Sequence, residues 1–179
     1  MSILERLGLR PVASAGAAER DTIRRIVDAL DRLPPERARY LAGFAFVLSR
    51  VARAEAGITS DETRTMEQRL VEHGGLPAEQ AIVVVQMAKT QSLLFGGTDD
   101  YSVTKELARG ATREQKLALL ECLFAVSAAD GSIRVVEENV VRQITDEIGL
   151  DHSDFVAARA RYRDQRAVHR ESPAPDDAP

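Results

Sequence analysis

The chain has no tryptophan, a single cysteine, and aromatic residues at only 4% of its 179 positions. A lone Cys122 excludes an intrachain disulfide, and a reducing compartment suits it best. No uninterrupted apolar run reaches the roughly 18 residues that a membrane-crossing helix needs. Met1 to Val12 lacks the apolar segment of a secretory signal. A soluble, cytoplasmic protein without direct membrane insertion is therefore expected. A net charge of −4 gives no excess of one sign that would suggest nucleic acid or an anionic membrane surface as partner. A small cation or a protein partner stays open.

Catalytic signatures are missing as well. There is no Gly-rich phosphate loop and no nucleophile elbow. His73, His152 and His169 are scattered without zinc-ligand spacing, and Cys122 has no neighbouring base, as expected of a buried, inert thiol. Because no general base or nucleophile accompanies its acidic residues, the chain is not expected to be an enzyme.

What is present is helix-forming material. With 44% apolar and 29% charged residues, rich in Ala, Arg, Glu, Leu and Val, the composition predicts one all-α domain. Residues 1–17 form an N-terminal segment in which Ile3, Leu4, Leu7 and Leu9 could line a short amphipathic helix. The domain proper spans 18–166, and the Pro- and Asp-rich tail 167–179 is expected to be disordered. Helical spacing places elements over Ala18–Leu33, Arg37–Ala54, Ser60–His73, Pro77–Phe95, Asp99–Leu107, Thr112–Ala128, Val135–Ile148 and Ser153–Arg166. Pro34-Pro35 both stops a helix and opens the next. The helix from Arg37 is greasy on most sides and should be central.

One pattern occurs twice, about 75 residues apart: Ala54-Glu55-Ala56-Gly57-Ile58-Thr59-Ser60-Asp61-Glu62 and Ala129-Asp130-Gly131-Ser132-Ile133-Arg134-Val135-Val136-Glu137. Each copy takes a helix into an acidic residue, then a Gly, an Ile, and a Glu that opens the following helix. Gly74 answers Gly149 further on, and Leu76 answers Leu150 with a one-residue slip. Two similar helix-turn-helix halves, at about 38–95 and 112–166, are the reading.

The acidic corners carry the candidate chemistry. A tight reversal at Gly131 can bring Asp130 and Glu137 to one side, with Glu55, Asp61 and Glu62 at the first corner. Such oxygen-only groups suit Ca²⁺ or Mg²⁺, although the ligand series of an EF-hand is absent. The competing reading is structural. Thr59 with Glu62 is a capping box, and first-turn acids stabilise the helix dipole by roughly 0.3–1 kcal/mol each. Capping accounts less readily for Glu55 and Asp130, which sit where the dipole disfavours negative charge. The arginines at 159, 161, 163 and 166 read as the solvated basic face of the last helix.

At Ala128-Ala129-Asp130-Gly131-Ser132-Ile133, Val136-Glu137, Ile144, Ile148-Gly149-Leu150 and Phe155 the chain resembles the TerB family of tellurite-resistance proteins. The N-terminal-type domain of the co-chaperone DjlA shares this pattern. The resemblance covers roughly Pro35 to Tyr162 and implies an all-α, cytoplasmic, non-enzymatic stress-response protein. It further implies acidic residues holding a divalent cation, and a protein partner such as a membrane-associated resistance protein. The second copy keeps the family pattern at Asp130, Gly131 and Glu137. The first departs from it, with Glu55 for Asp and Ala56-Gly57 for Gly-Ser. The alternative reading is a helical protein-interaction module without a metal.

Overall fold

The computed structural model describes residues 16–53, 60–90 and 100–166, with side chains at 53, 60–62 and 100–102 excepted. Eight α-helices account for most of these residues: α1 (Ala17–Asp31), α2 (Pro35–Arg53), α3 (Ser60–Glu72), α4 (Ala78–Lys89), α5 (Asp100–Gly110), α6 (Arg113–Ser127), α7 (Val135–Glu147) and α8 (His152–Ala160). A 3-10 turn, Arg163–Gln165, follows α8. No strand is present among the described residues; the one β-type contact is an isolated parallel bridge between Ile133 and Arg166.

The termini of these helices follow local chemistry. Pro35 sits at the first position of α2, where its missing N–H costs nothing, and Ala38 N–H donates to Pro34 O. Thr112 caps α6: Gln115 N–H donates to its hydroxyl, and Thr112 N–H donates to the Gln115 side chain. At the end of α4 the Thr90 hydroxyl donates back to Gln86 O, and the helix ends at Lys89; the part of the expected helix from 91 to Phe95 lies outside the described residues. The last helix is shorter than its apolar spacing suggests. It ends at Ala160, and the chain then turns back towards the start of α7.

Packing explains why α2 and α6 are central. Leu41, Phe44, Phe46, Val47, Leu48 and Val51 of α2 are fully buried, as are Leu119, Cys122, Leu123 and Phe124 of α6. Burial of each such large side chain contributes roughly 1.5–3 kcal/mol. Within the halves, α2 packs on α4 and α6 on α8. Between them the contacts are reciprocal, with α3 resting on α6, α7 on α2, and the two central helices on each other. Neither half could bury its apolar faces alone, which is why the duplicated unit folds as one body. Helix α1 adds Ile23, Ile26 and Leu30 to the same core and packs on α2 and α4.

The two half-ends differ by one residue, which accounts for the slip between Leu76 and Leu150. In the second half Gly149 adopts φ +71 and Leu150 N–H donates to Thr145 O; in the first, Gly75 takes the left-handed role at φ +62 and Leu76 N–H reaches back to Leu70 O. Gly74 serves a different need there. A Cβ on it would lie 2.7 Å from Leu70 O and 3.2 Å from Phe44 Cζ.

Candidate functional site

The second corner is built from the end of α6, the turn Asp130–Arg134 and the first turn of α7. Gly131 has φ +85, a conformation that disfavours a Cβ, and its N–H donates to Ala128 O. Asp130 closes the turn by accepting from Ser132 N–H at 2.9 Å, and it is exposed. Its position at a helix C-terminus, unfavourable by dipole alone, thus has a local explanation. Arg134 is extended at the N-cap of α7, and Ile133 before it is buried.

Glu137 is fully buried. Its Oε2 accepts from Arg134 N–H at 2.6 Å, and its Oε1 accepts from Arg134 Nε at 3.2 Å and Nη2 at 2.9 Å. Both oxygens are therefore engaged by one residue three positions earlier, a capping interaction reinforced by a guanidinium. A carboxylate shut from water and matched to a cation of its own chain is poorly suited to a hard metal ion, which needs several available oxygens. Among the described residues, no group of three or more His, Cys, Asp or Glu side chains is arranged to hold a metal. At the first corner, Glu55 lies outside the described residues, as do the side chains of Asp61 and Glu62.

Sequence reasoning passed over the neighbour, Glu138. This carboxylate is 8% exposed and gathers two arginines from beyond α7. Arg166 donates from Nε at 2.7 Å and Nη2 at 3.0 Å, and Arg159 from Nη1 at 3.1 Å. Burial pushes the Glu138 carboxyl up, but the hydrogen bonds and charges of Arg166 and Arg159 outweigh it and hold it below the usual carboxylate value. The expected solvated arginine face is thus partly consumed: Arg159 and Arg166 converge on Glu138, and Arg161 pairs with Glu121 at 2.7 Å. Nothing in helical spacing signals this, because the α-helix ends at Ala160 and the chain reaches Arg166 through a 3-10 turn.

A second charged cluster ties the halves together. Arg50 of α2, nearly buried, forms a two-pronged pair with Glu147 at the end of α7. Thr104 of α5 accepts from Arg50 Nη1 at 3.3 Å, and Gln143 donates to Glu147 at 2.8 Å. Burial again pushes Glu147 up, and the hydrogen bonds from Arg50 and Thr104 bring it below its ordinary value. Cys122 is fully buried and its thiol is pushed far up by burial, so a reactive thiolate is disfavoured there.

Fold and corner together define a class: an all-α domain of two interlocked helical halves, the second of which reverses at an acidic turn. The family model described as "Tellurite resistance protein TerB" matches residues 41–160, and the chain belongs to that family. No curated protein and no solved structure matches it. None of the helices among the described residues is long and apolar enough to cross a membrane.

Proposed function

We propose that this chain is a non-enzymatic TerB-family module of tellurite and oxyanion stress resistance that works as a cytoplasmic scaffold, through contact with a protein partner. The observation that carries this reading is the state of Glu137. Its buried carboxylate is consumed by Arg134, so the second acidic corner serves as a rigid joint. Thermal melts in the presence of Ca²⁺, Mg²⁺, Mn²⁺ and Zn²⁺ test it. The midpoint is expected to stay unmoved, whereas a cation held by the folded state alone would add about 2.7 kcal/mol at 100 times its dissociation constant. Such a gain would overturn the cation-free scaffold.

A second reading keeps a Ca²⁺ or Mg²⁺ ion and assigns it to the first corner, with Glu55, Asp61 and Glu62 as ligands. It is favoured by one sequence fact: Thr59 stands where the second half has Arg134, so no guanidinium comes from that position to neutralise Glu62. A cation gain in the melts that disappears in Glu62→Gln and survives in Glu137→Gln would select this reading.

A further inference from the structure

Helix α1 precedes α2 as α5 precedes α6, so each half has a leading helix of its own. The two leading helices are used differently. Helix α1 packs on α2 and α4 of its own half, whereas α5 crosses over and packs on α2 and α7. The seam between α6 and α8 is the counterpart of the one on which α1 lies, and no described helix takes the place of α1 there.

Two ion pairs fix the register of this bare seam. Arg113 meets Asp154 at 2.8 Å and Glu121 meets Arg161 at 2.7 Å, so α6 and α8 run side by side in the same direction. Helical spacing sets Leu117 and Ala157 between the pairs. Leu117 is only partly buried and Ala157 is exposed, whereas the matching positions of the first seam are covered: Ala42 and Met87 are buried and Val83 packs against the core.

The pairs are also lopsided. Arg113 and Arg161 keep 61% and 68% of their side-chain surface exposed, against 13% for Asp154 and 21% for Glu121. The acids therefore lie close to the helices while the guanidiniums face outward, which gives an apolar floor a positive rim. Exposed pairs of this kind contribute little to folding, and each guanidinium has donors left for a second carboxylate.

We propose that the α6–α8 seam is the docking site for an amphipathic helix of a partner protein, one whose apolar stripe is flanked by acidic residues. The stripe lies on Leu117 and Ala157, in the manner of α1 on the first seam, and the acids meet Arg113 and Arg161. This rests on reading the chain as a protein-contact module and names the chemistry of its partner.

The test uses the full chain and two helix-stabilised synthetic peptides that share a leucine stripe and differ only in their flanks, glutamate in one and lysine in the other. The glutamate peptide is expected to shift the amides of Leu117 and Ala157, with an affinity that falls as salt is added; the lysine peptide should leave them in place. The double variant Arg113→Glu, Arg161→Glu should bind the glutamate peptide at least about tenfold more weakly and gain binding of the lysine peptide. Arg161→Gln alone should weaken the glutamate peptide in the same direction. Equal binding of both peptides, or no shift with either, overturns the proposal. So do shifts confined to Ala42 and Val83, which would place the peptide on the first seam in exchange for α1. Self-association of the native chain that shifts Leu117 and Ala157 would assign the seam to a second copy, and a shift of the same amides on removing residues 167–179 would assign it to the chain's own tail; either result overturns the partner helix. None of these outcomes bears on the cation melts, so the scaffold reading is tested separately.

Discussion

Glu72 and Glu147 end the equivalent helices of the two halves, yet Glu147 is largely covered, against Arg50, while Glu72 is exposed beside Gln68 and Arg69. The difference lies in their partners. Arg50 of α2 reaches across to α7, whereas the matching position in α6 is Ala125, which cannot reciprocate. The same asymmetry runs through the corners: Thr59 stands for Arg134, Thr63 for Glu138 and, allowing for the one-residue slip, Val85 for Arg159. Backbone solutions repeat in both halves, with apolar central helices and left-handed glycine turns at Gly75 and Gly149. Among the described residues the buried ion pairs do not repeat: Glu138 is clamped by Arg159 and Arg166 of its own half, and Glu147 by Arg50 from the other.

The largest expected effect breaks the cross-half pair. Arg50→Ala should destabilise by about 3 kcal/mol, because it leaves the largely covered Glu147 carboxylate without its cation; Glu72→Ala should leave the denaturation midpoint where it is. Equal costs for the two changes in urea melts would dissolve the contrast between the halves.

Next come the turn glycines. Gly74→Ala sets a methyl group against Leu70 O and Phe44 and should cost about 2–3 kcal/mol by overpacking. Gly149→Ala meets nothing within 4 Å and should cost only the left-handed backbone penalty of about 1 kcal/mol. If Gly149→Ala proved the worse of the two, backbone conformation rather than steric room would distinguish these ends.

The smallest effect is the acid limb of stability. Glu138 and Glu147 have folded-state values below the ordinary one, so their contribution is complete above the unfolded carboxyl value of about 4.3. It is lost as the pH falls through the depressed folded values. Glu147→Gln should flatten that limb in pH-dependent denaturant melts, and an unchanged slope would mean that the buried pair does not govern it.

The fold was largely legible before any coordinates, and for identifiable reasons. Pro35, Thr112 and the long apolar runs around Phe44 and Leu123 act locally or at helical period, so element type and the central helices could be read directly. The candidate site was legible only in part. Asp130 and Glu137 stood out by repetition, but capping and cation binding use the same residue types at the same spacing. Glu138 drew no notice, since its partners Arg159 and Arg166 are distant in sequence and the latter lies past an unexpected helix end.

Taken alone, the sequence determined an all-α, internally duplicated chain with a glycine-turned acidic corner at Gly131, because caps, turns and apolar periodicity are short-range properties of the backbone. Only the tertiary structure decided which carboxylates are buried and which arginines meet them. Those pairings depend on the three-dimensional convergence of α2 with α7, and of the segment after α8 with the corner, at separations for which local spacing carries no information.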